Sequence, residues 1–73
     1  MKEKLIFSLA LTQFNSGEYD EAISNFNDVI DINPRNAEAF FHRGNAYFAK
    51  GDLNLASLDH DRALSLNPMF MEY

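Results

Sequence analysis

The chain repeats itself at an offset of 34 residues. Laid on itself, it gives the identical pairs Phe7/Phe41, Phe14/Phe48, Gly17/Gly51, Ala22/Ala56, Asn33/Asn67, Pro34/Pro68 and Glu38/Glu72. Seven identities among 39 comparable pairs exceed the roughly one in sixteen that ordinary composition would give. Their placement matters more than their number. They fall at both glycine turns, at both Asn-Pro stops and at a small residue inside the second half of each copy. A unit of this length cannot enclose a core alone, so two copies must stack.

The pattern within each unit is helix, tight turn, helix, proline turn. The first helix is predicted over about Lys2 to Asn15, with Leu5, Ile6, Phe7, Leu9, Ala10, Leu11 and Phe14 spread over more than one face, which predicts neighbours on more than one side. Ser16-Gly17 stops it, glycine being suited to a left-handed cap. The second, Tyr19 to Ile32, carries Ala22, Ile23, Phe26, Val29 and Ile30 as an inward stripe, and Asn33-Pro34 ends it because proline disfavours helical geometry in the preceding residue. Asn36 is the expected N-cap of a third helix from Ala37 to Lys50. Asp52 is the expected N-cap of a fourth from Leu53 to Leu66, a stronger cap than its counterpart Glu18. Asn67-Pro68 repeats the stop, and Met69 to Tyr73 reads as the start of a third copy. Gly44, between Phe40 and Tyr47 on one side of the third helix, costs roughly 1 kcal/mol relative to alanine. Close approach of a second helix is the expected reason, and Ala10 holds the matching place in the first copy.

This arrangement resembles the tetratricopeptide repeat. The family signature is a large apolar residue, Leu and a small residue, an aromatic, then Ala, a second aromatic and Pro. It is answered by Phe40, Arg43, Gly44, Tyr47, Ala56, His60 and Pro68, and in the first copy by Ile6, Leu9, Ala10, Gln13, Ala22, Phe26 and Pro34. The resemblance implies an all-α fold of two tandem helix-turn-helix repeats in a short right-handed solenoid. It implies one domain over 1–73, with repeats at 3–36 and 37–70 and the start of a third at 71–73. Gln13, Arg43 and His60 depart from the family pattern by placing polar groups near an expected core, and looser packing is expected at all three.

Composition narrows the function. Eleven acidic against six basic residues give a net charge of −5, which opposes phosphate-backbone binding and argues against nucleic acid. Without cysteine there are no disulfides or thiolate metal sites. His42 and His60 have no metal-ligand spacing, and Asp59-His60-Asp61 puts neighbouring side chains in different directions on a helix. Ser57 lies three before His60 but has no oxyanion loop beside it. No catalytic residue, cofactor site or metal site is expected. The basic start and short apolar run at Met1 to Leu11 are interrupted by Glu3 and lack a small-x-small site. They read as a structural helix, with no membrane segment and a cytoplasmic setting.

The family resemblance implies a non-catalytic module that binds a protein or peptide in a concave groove lined by the first helix of each repeat. Carried onto this chain, the apolar groove consists of Phe7, Leu11, Phe14, Phe41, Asn45 and Phe48, with Ile6, Leu9 and Ala10 and then Phe40, Gly44 and Tyr47 supplying the inward face. Only Asn45 matches the Lys, Asn and Arg clamp by which some members grip a C-terminal carboxylate, so hydrophobic anchoring is expected instead. The alternative is self-assembly. Leu55 and Leu58 stand where the second helix has Glu21 and Ser24, and with Met69, Phe70, Met71 and Tyr73 they form a patch through which two copies would pair as a homodimer. A tail folded back over Leu55 and Leu58 would cover the same patch within one molecule.

Overall fold

The computed structural model describes residues 2–71, with backbone alone at Met71; Tyr73 and the Met71 side chain, both assigned to self-association, lie outside the described residues. Four α-helices follow one another, α1 (Lys2–Asn15), α2 (Tyr19–Ile32), α3 (Ala37–Lys50) and α4 (Leu53–Leu66), and then a 3-10 turn, Pro68–Met71. No strand occurs among the described residues, and no helix there is long and apolar enough to cross a membrane.

Local chemistry sets each boundary. Gly17 and Gly51 sit at φ 81° and 89° and close their helices identically. The Gly17 N–H donates to Phe14 O (3.0 Å) and the Glu18 N–H to Gln13 O (2.8 Å), as Gly51 and Asp52 donate to Phe48 O and Tyr47 O (both 2.9 Å). These paired bonds form the left-handed glycine cap that satisfies the last carbonyls of a helix. At the other stops, Asn33 and Asn67 each donate their N–H into the last turn (2.8 Å). Their side-chain oxygens accept from Arg35 N–H and Met69 N–H (3.1 Å each), so asparagine makes the turn that the following proline requires. Asn36 Oδ1 accepts from Ala39 N–H at 3.0 Å and Asp52 Oδ1 from Leu55 N–H at 3.4 Å, whereas Glu18 makes no side-chain cap.

α2 is the shared wall. It packs against α1 within the first hairpin and against α3 of the second, while α4 packs against α3 and the 3-10 turn. Ala22, Ile23, Phe26 and Val29 are buried as their spacing requires, with Ile30 half-buried. Ala10, Ala39 and Phe26 meet in one cluster with Ala22 and Val29, and small side chains on α1 and α3 let α2 fit between them. A polar tie closes the same junction. Glu3 Oε2 accepts from Asn33 Nδ2 (3.0 Å) and Asn36 Nδ2 (2.8 Å), joining the first turn of α1 to the α2–α3 turn.

One expected inward residue is not enclosed. Leu9 is 50% exposed and Leu5 71%, so α1 has an open flank rather than neighbours on every side. The repeat explains it. Leu9 is the counterpart of Arg43, which is covered because α2 of the preceding hairpin lies beside it; no described element lies on that flank of α1.

Candidate functional site

Phe7 of α1 and His42 and Phe41 of α3 form a connected row of rings with Phe26 of α2. Phe7 meets Phe26 edge-on at 5.8 Å and His42 at 5.7 Å, and His42 stacks on Phe26 with ring planes 13° apart. Phe41 continues the row, 5.3 Å from His42 and 5.4 Å from His60. His42 thus joins the two hairpins through rings, and Phe7 and Phe41 lie on either side of it. His60 Nε2 is hydrogen-bonded to Asn45 Oδ1 (2.9 Å), which brings Asn45 to the same neighbourhood. Leu11 and Phe14 are half-buried against the first hairpin's core, Phe14 also meeting Tyr19 edge-on at 5.5 Å. Phe48 differs from the other five: it is 64% exposed.

The self-association residues divide. Leu58 is 64% exposed and Leu55 39%, and both line a cleft of about 610 Å³ with Ile30, Tyr47, Arg43 and Asp59. Phe70 is elsewhere. It stacks on Phe41 at 4.7 Å with the ring planes 15° apart, and Met69 beside it is 76% exposed. The described part of the tail therefore lies over Phe41 and does not cover Leu58.

The floor of that cleft holds an ion pair that sequence reasoning did not anticipate. Arg43 Nε and Nη2 donate to the two oxygens of Asp59 at 2.8 and 2.7 Å, and Nη1 donates to Asn27 Oδ1 at 2.7 Å. One guanidinium of α3 therefore binds both α4 and α2. It also lies over the rings of Phe40 (5.4 Å) and Tyr47 (5.9 Å). The hydrogen bond to Asp59 raises the Arg43 pKa further, against the opposing effect of burial. Charge here serves cohesion. Among the described residues no three His, Asp or Glu side chains gather to hold a metal ion, and no buried side-chain polar atom lacks a partner.

Two family models match the chain. One, described as "TPR repeat", covers residues 10–51, and one described as "Tetratricopeptide repeat" covers 37–70. The chain belongs to the tetratricopeptide repeat family. It is 31% identical over 61 residues to Peptidyl-prolyl cis-trans isomerase FKBP4 of Bos taurus, which covers 84% of this chain and 13% of that protein. It is 33% identical over 60 residues to Tetratricopeptide repeat protein 14 of Mus musculus, covering 82% of this chain and 8% of that protein. The chain thus spans a small part of the curated relatives it matches. Tetratricopeptide repeats are in general non-catalytic modules that bind protein partners, and this chain carries two in tandem.

Within the tetratricopeptide pattern, the three polar departures are bonded rather than loose. Gln13 Oε1 accepts from Asn25 Nδ2 at 2.7 Å, Arg43 holds Asp59, and the His60 ring fills the space that Gly44 leaves. Polar groups near a core are tolerated here because each has a matched partner on the facing helix.

His42 gives the tetratricopeptide junction a pH dependence. Burial pushes its imidazole below the ordinary 6.5, and the neighbouring Glu38 carboxylate opposes that effect. Between the lowered folded value and 6.5 the unfolded chain binds more protons than the folded one. Stability is therefore full above about pH 6.5 and falls below it as the unfolded chain takes up a proton that the ring among Phe7, Phe26 and Phe41 resists, the loss being complete once the folded ring is charged too. Chemical denaturation from pH 7 to 5 should show this loss, and His42→Phe should flatten it. An unchanged slope in His42→Phe would assign the acid sensitivity to other groups.

Proposed function

We propose that this chain binds a peptide or helix of a partner protein along the α1 and α3 face, with Phe7, Leu11, Phe14, Phe41, Asn45 and Phe48 as its apolar groove. The two repeats are residues 3–36 and 37–70, the activity is non-catalytic, and the setting is cytoplasmic. Phe48 carries the reading: a large aromatic left mostly in water, two helical turns beyond Phe41 on the same stripe of α3, fits an anchor for a partner better than a core residue. Membership of an interaction-module family supports it.

The test begins with capture of the partner and its identification by mass spectrometry, followed by titration. Phe48→Ala should weaken that binding by about 2 kcal/mol, roughly thirtyfold, as truncated aromatic anchors do. It should shift folding stability by less than about 0.5 kcal/mol, since exposed side chains contribute little. Unaltered affinity in Phe48→Ala would reject this groove.

Self-assembly is the second reading, favoured by Leu58 and Leu55 beside a cleft walled by Ile30 and Tyr47. In that case light scattering gives a dimer mass that Leu58→Ala returns to a monomer.

A further inference from the structure

Asp31 stands where stability alone would not put it. It lies in the last turn of α2, at the negative end of the helix dipole, where an acidic side chain is unfavourable. Its carboxylate is exposed and makes no hydrogen bond or ion pair with the described residues, and the corresponding position of α4 is Ser65. What Asp31 does have is a place in the cleft of about 610 Å³ beside Leu55 and Leu58. The walls of that cleft are α2 and α4, which do not pack on one another, and its floor is α3. Leu58 is 64% exposed and its counterpart in the first hairpin is Ser24, so the apolar wall is not part of the repeat design. Among the described residues the one cation lining the cleft is Arg43, and Asp59 already holds it by two bonds. An apolar wall and one unmatched negative charge therefore face the same opening.

We propose that this cleft is a second docking surface, which takes a cationic amphipathic segment of a partner protein. An apolar side chain of the partner lies against Leu55 and Leu58, and a lysine or arginine reaches Asp31. Charge favours this occupant over a second copy of the chain. A two-fold pair sets the same patch against itself. Each patch then brings its own Asp31 and no uncommitted cation, on chains that both carry a net charge of −5. Arg62, further along α4, lies over the Phe40 ring at 5.8 Å. A partner's lysine or arginine supplies what the patch lacks, and its methylene stem adds apolar contact with the leucines. Opposite charges at a rim govern encounter and orientation more than affinity, so the leucines carry the larger share of the binding. None of the six groove residues lines this cleft, and the two surfaces therefore stand or fall separately.

The probe is a synthetic leucine-lysine peptide patterned as an amphipathic helix, titrated into the full chain at about 0.15 M salt, where charges beyond roughly 8 Å are screened. Its twin has glutamate in place of lysine. Leu58→Ala should weaken binding of the lysine peptide about tenfold, the effect of withdrawing a leucine from a half-buried contact. Asp31→Asn should weaken it about threefold, in the range of a rim ion pair, and reduce its salt dependence. The same variant should raise the denaturant midpoint, because the helix dipole favours the change. Glu21→Gln removes an equal charge about 15 Å along α2, outside the cleft, and should leave affinity unaltered. Phe48→Ala should leave it unaltered too, and the glutamate peptide should not bind. All four side chains are exposed, and circular dichroism checks that each variant folds. Equal weakening in Asp31→Asn and Glu21→Gln overturns the proposal, since net charge alone then attracts the peptide, and equal binding of the glutamate twin does the same. Binding lost in Phe48→Ala and kept in Leu58→Ala overturns it by placing the peptide in the groove. A midpoint lowered by Asp31→Asn gives the carboxylate a structural role and overturns it, as does a parent chain that does not bind the lysine peptide. A dimer in light scattering that Leu58→Ala dissolves means that a second copy covers the cleft, and this also overturns it.

Discussion

Asp59→Ala is expected to lower stability by about 3 kcal/mol, read as a fall in the denaturant midpoint by circular dichroism. Removing one partner of an enclosed ion pair leaves the other charge without compensation, at a typical cost of about 3–5 kcal/mol. The lower end applies because the Arg43 side chain is 20% exposed and water can reach its edge. Asp59 takes two bonds from the guanidinium, so its loss also releases the group that holds Asn27 of the preceding hairpin. A domain of 73 residues has a total stability of about 4–11 kcal/mol, which makes this a large share. Arg43→Leu restores the residue usual in the family but leaves the Asp59 carboxylate, the more buried partner with its side chain 8% exposed, without compensation, and should cost at least as much. Joining Arg43→Leu to Asp59→Leu should recover part of the loss, apolar replacement of a whole buried pair being close to neutral. A double variant as damaged as the sum of its singles would mean that the pair does not act as a unit. Lys50 and Asp20 offer the contrast: their pair is at the surface, where water and salt screen it.

The repeat made most of the fold legible before any coordinate. Helix limits followed from Gly17, Gly51, Asn33 and Asn67, because each of those residues has a local conformational reason to stop a helix that does not depend on what packs nearby. The Arg43–Asp59 pair was not found, although a signal was present. Hairpin one has Leu9 and Asn25 where hairpin two has Arg43 and Asp59, so both signs of charge enter together between one copy and the next. Asn25 instead pairs with Gln13, whose counterpart Tyr47 cannot play that role for Asp59. Departures from a family pattern come in pairs across facing helices, so that neither residue of a pair explains itself alone. The exposure of Leu9 escaped for another reason. Periodicity gives the face of a helix and says nothing of whether an element lies against it, and in a solenoid that depends on the neighbouring repeat. Phe70 over Phe41 was hidden because the turn keeps the 34-residue register while the residue changes from Asn36 to Phe70, so a polar cap in one copy becomes a ring in the next.

Gly44→Ala is the second large effect expected, and its sign opposes helix propensity. In a solvated helix this change gains about 1 kcal/mol. Here the new Cβ would lie 2.7 Å from His60 Cδ2, 2.8 Å from His60 Nε2 and 3.1 Å from the Ala56 carbonyl oxygen. The ring can swing away only by breaking its 2.9 Å bond to Asn45 and shifting from Phe41. The Ala56 oxygen belongs to the backbone of α4, so relief on that side requires α3 and α4 to separate. Overpacking of this kind costs about 1–3 kcal/mol, and with the lost hydrogen bond it outweighs propensity, for a net loss of about 2 kcal/mol. His60→Ala should be destabilising alone, yet Gly44→Ala should cost clearly less in its presence, since the two closest contacts are then absent and only the 3.1 Å approach to the Ala56 oxygen is left. Denaturation of the two single variants and the double variant reads that coupling directly. A stabilised Gly44→Ala would mean that α3 and α4 do not need a residue without a side chain where they cross, and the close approach of the two rods, on which the placement of His60 beneath Phe41 depends, would have to be given up.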